Sequence, residues 1–409
     1  DSSSMRDYAL IIEKEGKSDN IEICHYFYRA AKSGKKASSY YHYGRLLELL
    51  SNEFKKPVQV DSHLTFSSKE ELMKEAAEMY KIAADKGNTD AMFSYAMCLS
   101  EGKGIEKNLI DSYKYFTNAS RVGNINAITH AGIALKDGAG VTKDLEEARK
   151  LFKKGAEGGD PISMTNYALL LIEDNEIEEA KTYLYKAAEL KEKSSYYPIA
   201  QLLERENYSN KDDILKYYKL SADVQMNQKG MKKYAELVSN EDEKIKYYEL
   251  LYKCYHESND SNDSTIINSN GFYEAMDNLG KIYIKNHSND NALRCFKDSI
   301  KSNNIESYFN YAKLIDDKTE KYKYYKLCAD YNITVNTNMN ITTFNSNLSN
   351  NDTNAMIDDL HLDETSQTIK CEAAYEYAMY MKQKKVPSEF EKYIKIAADY
   401  GNLKAIIEY

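Results

Sequence analysis

Apolar positions between residues 85 and 160 recur at two nested intervals. After Asp90, the residues Ala91, Tyr95, Ala96 and Leu99 fall at helical spacing and share one face. Gly102-Lys103-Gly104 then ends that helix, because glycine reaches the left-handed backbone that a chain reversal needs. In the following unit Asp144 is placed to cap a second helix, and Glu147 completes a capping box. That helix puts Leu145, Ala148, Leu151, Phe152 and Ala156 on its buried side and stops at Gly158-Gly159. The longer interval is 36 residues, kept by Gly87, Gly123 and Gly159 and by the doublets Gly102/Gly104 and Gly138/Gly140. So many columns at one spacing define a tandem repeat of helix, turn, helix, turn.

One column traces the repeat along the whole chain: a large residue, usually Tyr, followed by Ala or Gly. It reads Tyr8-Ala9, Tyr43-Gly44, Tyr95-Ala96, Ala131-Gly132, Tyr167-Ala168, Ile199-Ala200, Tyr234-Ala235, Leu279-Gly280, Tyr311-Ala312 and Tyr377-Ala378. Where two helices cross closely, a side chain larger than Ala would hold the backbones apart. The small residues are separated by 35, 52, 36, 36, 32, 35, 45, 32 and 66 positions. The three long intervals place polar insertions near 51–68, 256–270 and 332–368, each rich in Asn, Ser, Asp or Thr and expected as a surface loop. A second column, A-A-x-x-G, ends the second helix at Ala30-Ala31/Gly34, Ala83-Ala84/Gly87 and Ala397-Ala398/Gly401. In the middle it decays, with Lys191 after Ala187-Ala188 and Gln225 after Ser221-Ala222, so other residues must stop those helices.

Together the columns A-x-x-x-[LY]-[GA]-x-x-[LY]-x-x-G-x-G-[VI], D-x-x-x-A-x-x-[YLF] and A-A-x-x-G resemble the Sel1-like repeat, a relative of the tetratricopeptide repeat. The match is strongest over 91–159, good over 7–34 and 375–401, and weaker between. The resemblance implies an all-α, right-handed superhelical solenoid of antiparallel helix pairs whose first helices line a concave surface. It also implies a scaffold or adaptor without catalysis or cofactor. The expectation is one array over 1–409, of about ten units. Two other readings stay open at this stage. One is an ER-luminal adaptor resembling the Sel1 partner of a membrane ubiquitin ligase. The other is the regulatory array of an enzyme whose catalytic domain lies outside this chain.

Composition narrows the function without naming it. The net charge is −9 with acids and bases interleaved, which disfavours a nucleic-acid binder needing a basic stripe. No apolar run reaches the length of a membrane span and no secretory leader is visible, so the expected compartment is the cytoplasm. The six Cys form no C-x-x-C pair and read as small buried residues in a reducing compartment. The sequons at Asn118, Asn286, Asn332, Asn340 and Asn347 are what an Asn-, Ser- and Thr-rich chain produces by chance. None of the seven His shares a helix face with another at metal-ligand spacing, and His130 is expected to pack within its helix pair. Gly138-Ala139-Gly140-Val141 has no preceding strand and no following G-K-[ST], so it is a repeat turn rather than a phosphate loop. The solvated carboxylates offer no catalytic pair.

What remains is a surface for a protein or peptide partner. In the tetratricopeptide-like geometry the groove residues lie three before, one after and four after the small position. That offset nominates Tyr41, Arg45, Phe93, Met97, Ile133, Leu169, Ile172, Tyr197, Phe309 and Tyr375 as partner-binding. Phe93, Met97, Ile133, Leu169 and Ile172 form an apolar run from adjacent units, either a docking strip or core filling between neighbouring helices.

Overall fold

A computed structural model describes residues 2–16, 19–34, 36–206, 210–257, 267–331 and 364–409. The chain divides into two compact units, Asp1–Tyr208 and Ser209–Tyr409. The first contains α1 (Ser2–Glu15), α2 (Asn20–Gly34), α3 (Ala37–Asn52), a hairpin of β1 (Val58–Asp61) and β2 (Leu64–Phe66), then α4 (Lys69–Asp85), α5 (Thr89–Glu101), α6 (Leu109–Arg121), α7 (Ile125–Asp137), α8 (Leu145–Glu157), α9 (Pro161–Glu173), α10 (Ile177–Glu189) and α11 (Tyr196–Arg205). The second contains α12 (Lys211–Gln225), α13 (Gln228–Leu237), α14 (Glu241–Glu257), α15 (Ser269–Lys285), α16 (Asn289–Ser299), α17 (Ile305–Leu314) and α18 (Lys318–Ala329), followed by helices Glu364–Lys384, Pro387–Asp399 and Leu403–Glu408. Helices pack chiefly against those before and after them in sequence. Such nearest-neighbour packing defines an all-α repeat solenoid.

Short polar residues start these helices. Asn88, Asn124, Asp160, Asn227, Asn268, Asn304 and Asn402 each cap a helix by accepting a backbone N–H from the first turn. Asp144 accepts from the Glu147 N–H at 3.0 Å, as the sequence pattern predicts. Asn is thus abundant here partly because it satisfies orphan donors.

The small-residue column lies in the core throughout. Ala9, Gly44, Ala96, Gly132, Ala168, Ala200, Ala235, Gly280, Ala312 and Ala378 are all buried. Their large neighbours are buried too, except Tyr8, which is 46% exposed. The reason for smallness is steric. A Cβ on Gly132 would stand 2.8 Å from the Phe152 ring, and one on Gly280 would stand 2.7 Å from Phe296. Phe152 and Phe296 are fully buried second-helix rings, so neither can swing away into solvent.

The turn glycines set the spacing between successive pairs. Gly104 and Gly140 have φ near +70° and +74°, and each lies against the helix of the preceding pair. A Cβ on Gly104 would fall on the Met73 carbonyl, and one on Gly140 on the Leu109 carbonyl. Where glycine is missing, other residues take the left-handed conformation, including Lys191 at φ 62° and Met226 at φ 55°. These are the helix stops that the decayed motif left unassigned.

Two expectations need correction. The polar insertion at 51–68 is not a surface loop. Val58 pairs with Phe66 and Gln59 with Thr65 in an antiparallel hairpin, and Val58, Val60 and Phe66 are buried with Leu46, Leu47 and Leu72. The strand turns alternate residues inward, so three apolar side chains suffice to dock it. In the α8 pattern, Leu145 is 40% exposed rather than buried, because the first helical residue lies beyond the packed turn. Of the insertion at 256–270, His256 and Glu257 belong to α14 and Ile267 is buried, while 258–266 lie outside the described residues. Of the insertion at 332–368, residues 364–368 are helical and 332–363 lie outside the described residues.

Gly104→Ala and Gly140→Ala are expected to cost about 2–4 kcal/mol each, combining backbone overlap with strain. Gly123→Ala has open space around its Cβ and is expected to cost about 1 kcal/mol. Urea unfolding of the three variants checks the ranking; equal stabilities contradict the close-approach argument.

Candidate interaction face

Repeated tyrosine contacts join the first and second helix within a pair. Tyr95 meets Tyr115 edge-on at 4.9 Å between centroids, and the same arrangement recurs in Tyr167–Tyr183, Tyr234–Tyr247, Tyr311–Tyr324 and Tyr377–Tyr393. Edge-to-face rings leave both hydroxyls able to reach acids. The first-helix hydroxyl donates to a glutamate early in its own second helix: Tyr234 to Glu243 at 2.7 Å and Tyr377 to Glu389 at 2.6 Å. The second-helix hydroxyl donates to the helix of the preceding pair. Tyr115 reaches Asp85 at 3.0 Å, Tyr247 reaches Asp223 at 2.6 Å and Tyr393 reaches Asp330 at 2.7 Å. Burial, with the Asp85 hydrogen bond second, pushes Tyr115 up to about 12, so its proton stays in the bond at neutral pH. In the pairs α13/α14 and Glu364–Lys384/Pro387–Asp399, one bond therefore closes the pair and the other joins it to the one before.

In the first unit, α5, α7 and α9 are linked directly. The Phe93 and His130 rings lie 5.4 Å apart, Thr129 Oγ1 donates to Asp160 at 2.8 Å, and Lys136 Nζ donates to Asn166 Oδ1 at 2.9 Å. The nominated residues on this row have unequal exposure. Phe93 and Met97 are half-buried and pack against Ala96, Phe116 and Ala131. Ile133 and Ile172 are half-buried, and Leu169 is 38% exposed. The run serves partly as core at its Phe93 end and opens toward solvent at Leu169. Upstream, Tyr41 is half-buried against Tyr80 and Ala91, and Arg45 is ion-paired with Glu13. Tyr197 is half-buried and accepts from Gln201 at 3.4 Å.

The second unit carries a different face. Lys232 bridges Glu236 at 2.5 Å and Glu274 at 3.0 Å, and Lys281 bridges Asp277 at 2.8 Å and Glu306 at 2.7 Å. Asp277 is 8% exposed and also accepts from Ser307. Burial holds its carboxyl above the ordinary value despite Lys281. Phe309 is 6% exposed, packed against Tyr325 with Lys313 over its ring, so it contributes a wall rather than a protruding anchor. Tyr375 is half-buried and lines a groove together with Phe309 and Lys313. Glu274, Glu306 and Glu372 were missed by the offset rule, although each stands six residues before its small position.

Among the described residues no group of three or more His, Cys, Asp or Glu could hold a metal, and no helix is long and apolar enough to cross a membrane. Cys24, Cys98, Cys295, Cys328 and Cys371 are buried thiols, and Cys254 is half-buried. His130 stacks on Phe116 at 5.2 Å, and His42 stacks on Phe27 at 4.9 Å with the same 16° tilt. His42 Nδ1 is buried without a hydrogen-bond partner. Both imidazoles serve as packing rings against a neighbouring phenylalanine.

The class that this geometry defines is a helical repeat solenoid of the kind that commonly mediates protein–protein interaction. Residues 73–88, 89–124, 126–160 and 173–192 match the Sel1 repeat, so the chain carries Sel1 repeats in four places. No curated protein matches the sequence. Among solved structures it is similar to c5321, a protective antigen present in uropathogenic Escherichia coli strains and displaying an SLR fold. That likeness has 16% identity and a TM-score of 0.59, over 96% of this chain and 79% of that one. It is also similar to a Sel1 repeat protein from Oxalobacter formigenes, at 19% identity and a TM-score of 0.48, over 61% of this chain and 99% of that one.

Burial holds His42 and His130 below the ordinary 6.5, with nearby Arg45 and Arg6 adding to the effect at His42 and Asp160 and Glu101 opposing it at His130. The unfolded chain therefore binds these protons more tightly than the folded one. Their contribution is complete above pH 6.5 and falls away as pH drops through it. The expected outcome is a melting temperature that declines between about pH 7 and 5.5. The His42→Gln/His130→Gln variant loses part of that slope; an unchanged slope contradicts the assignment.

Proposed function

We propose that the chain is a non-catalytic scaffold whose first-helix face binds a segment of a protein partner. Repeats of this type bind protein partners, and the Sel1 and tetratricopeptide-like families are generally non-catalytic. The observation that carries the reading is the row Met97, Ile133, Leu169 and Ile172. Four apolar side chains from three adjacent first helices remain partly open to solvent, although each helix already has a buried face of its own. Apolar residues held on a rigid backbone lose little entropy on binding and make effective anchors. In this reading Leu169 and Ile172 are the contact centre, while Phe93 supports the strip from below through Phe116. Tyr41, Arg45 and Tyr197 extend the same face to either side, and in the second unit Phe309 and Tyr375 hold the corresponding first-helix positions.

Leu169→Glu/Ile172→Glu is expected to remove this contact without unfolding the chain, since Leu169 is 38% exposed. Lys150→Glu, on the exposed side of α8, is the control. In quantitative capture from an extract of the source cells, at least one protein held by wild type and control should fall about tenfold with the double variant. An unchanged set of captured proteins, with the helical circular-dichroism signal intact, contradicts the proposal.

A further inference from the structure

We propose that the groove between α17 and the helix Glu364–Lys384 takes a lysine or arginine side chain from an extended basic segment of the partner protein. This rests on the reading of the first-helix face as a protein-binding surface, and it gives the partner a chemistry. The groove has a volume of about 810 Å³, within the range of about 300–1,000 Å³ for sites that enclose compact ligands. Phe309, Tyr325 and Tyr375 supply its rings, and Glu372 and Glu376 its carboxylates.

The chain already holds an ammonium there. Lys313 Nζ lies 4.1 Å from the Phe309 ring centroid and 3.7 Å from the Glu372 carboxylate. A cation over an aromatic face is attracted by the ring quadrupole, and a carboxylate at its other side strengthens the hold. Lys313 is half-exposed, so it is a tethered and replaceable occupant. Glu376 is exposed and makes no hydrogen bond or ion pair among the described residues. Its charge reaches the groove wall: after burial, it is the next influence pushing Tyr325 up to about 12.

The row leading to the groove repeats this imbalance. Lys232 serves Glu236 and Glu274, Lys281 serves Asp277 and Glu306, and Lys313 serves Glu372 with Glu376 beside it. At the first two steps one lysine is set among two carboxylates, leaving one negative charge unmatched. Lys404, on the short helix Leu403–Glu408, also lines the groove and balances it locally, but the row retains its surplus. A segment with several basic residues meets that surplus along its length. An acidic segment is repelled, and an apolar one leaves the charges desolvated without partners.

Fluorescence polarisation with the full chain tests this, using labelled ten-residue peptides that alternate Ser with Lys, Arg or Glu. The basic peptides should bind and weaken as salt rises from about 0.05 to 0.5 M, and the acidic peptide should not bind. Glu372→Gln/Glu376→Gln should weaken basic-peptide binding about tenfold. Lys313→Ala, which removes the tethered competitor, should tighten it about threefold. Glu146→Gln/Glu157→Gln removes two exposed carboxylates elsewhere and should change nothing. Equal weakening by both glutamine pairs means that net charge alone attracts the peptide, and overturns the proposal. So does full displacement of the peptide by equimolar spermidine, which would make the occupant a small polycation. If extract capture still depends on Leu169 while no basic peptide responds to Glu372 and Glu376, this inference fails and the scaffold reading stands.

Discussion

The contact between a first-helix Ala or Gly and a ring on its second helix governs the rest of this molecule. At Gly132 and Gly280 there is no room for even one carbon between the backbone and Phe152 or Phe296. The approach is close because interiors pack at the density of organic crystals, where a void or a clash is felt at the scale of a methyl group. Once the pair closes at that distance, the tyrosines fall into edge-to-face contact. Their hydroxyls then reach one acid in the same pair and another in the pair before. Gly104 and Gly140 add a second fixed spacing, between each turn and the preceding helix. Every helix is thus positioned by its immediate neighbours.

That arrangement has a consequence for function. Second helices and turns use their side chains to join neighbours, so the first helices keep a row whose identity is less constrained by packing. The two units use this freedom differently. Between α5 and α9 the row is apolar and partly open. Between α13 and Glu364–Lys384 it is a series of lysines set among carboxylates, with Asp277 mostly buried. Apolar anchors contribute affinity, whereas charged rows contribute rate and discrimination between partners.

Much of the fold was legible because its signals are periodic and redundant. Helix spacing, the Tyr-Ala column and the glycine intervals all pointed to the same two-helix unit, and the ten small residues are buried as that unit requires. The hairpin at Val58–Phe66 escaped because its strands are four and three residues long and lie in a polar tract. The stops at Lys191 and Met226 escaped because neither residue advertises a left-handed backbone. At the candidate face, positional offsets nominate a row but carry no information on the state of each side chain. Arg45 is neutralised by Glu13 from an earlier helix, and Phe309 is covered by Tyr325 and Lys313. Both depend on residues outside the column being read.

The close small-to-ring contact is tested most directly by filling it in each unit separately. Thermal unfolding of Gly132→Leu and Gly280→Leu, followed by circular dichroism, should show a destabilisation of about 3 kcal/mol or more in each, since the backbone and a buried ring must both give way. Wild-type melting for either variant would mean that the helices do not approach as closely as described, and the face built on that approach would lose its foundation.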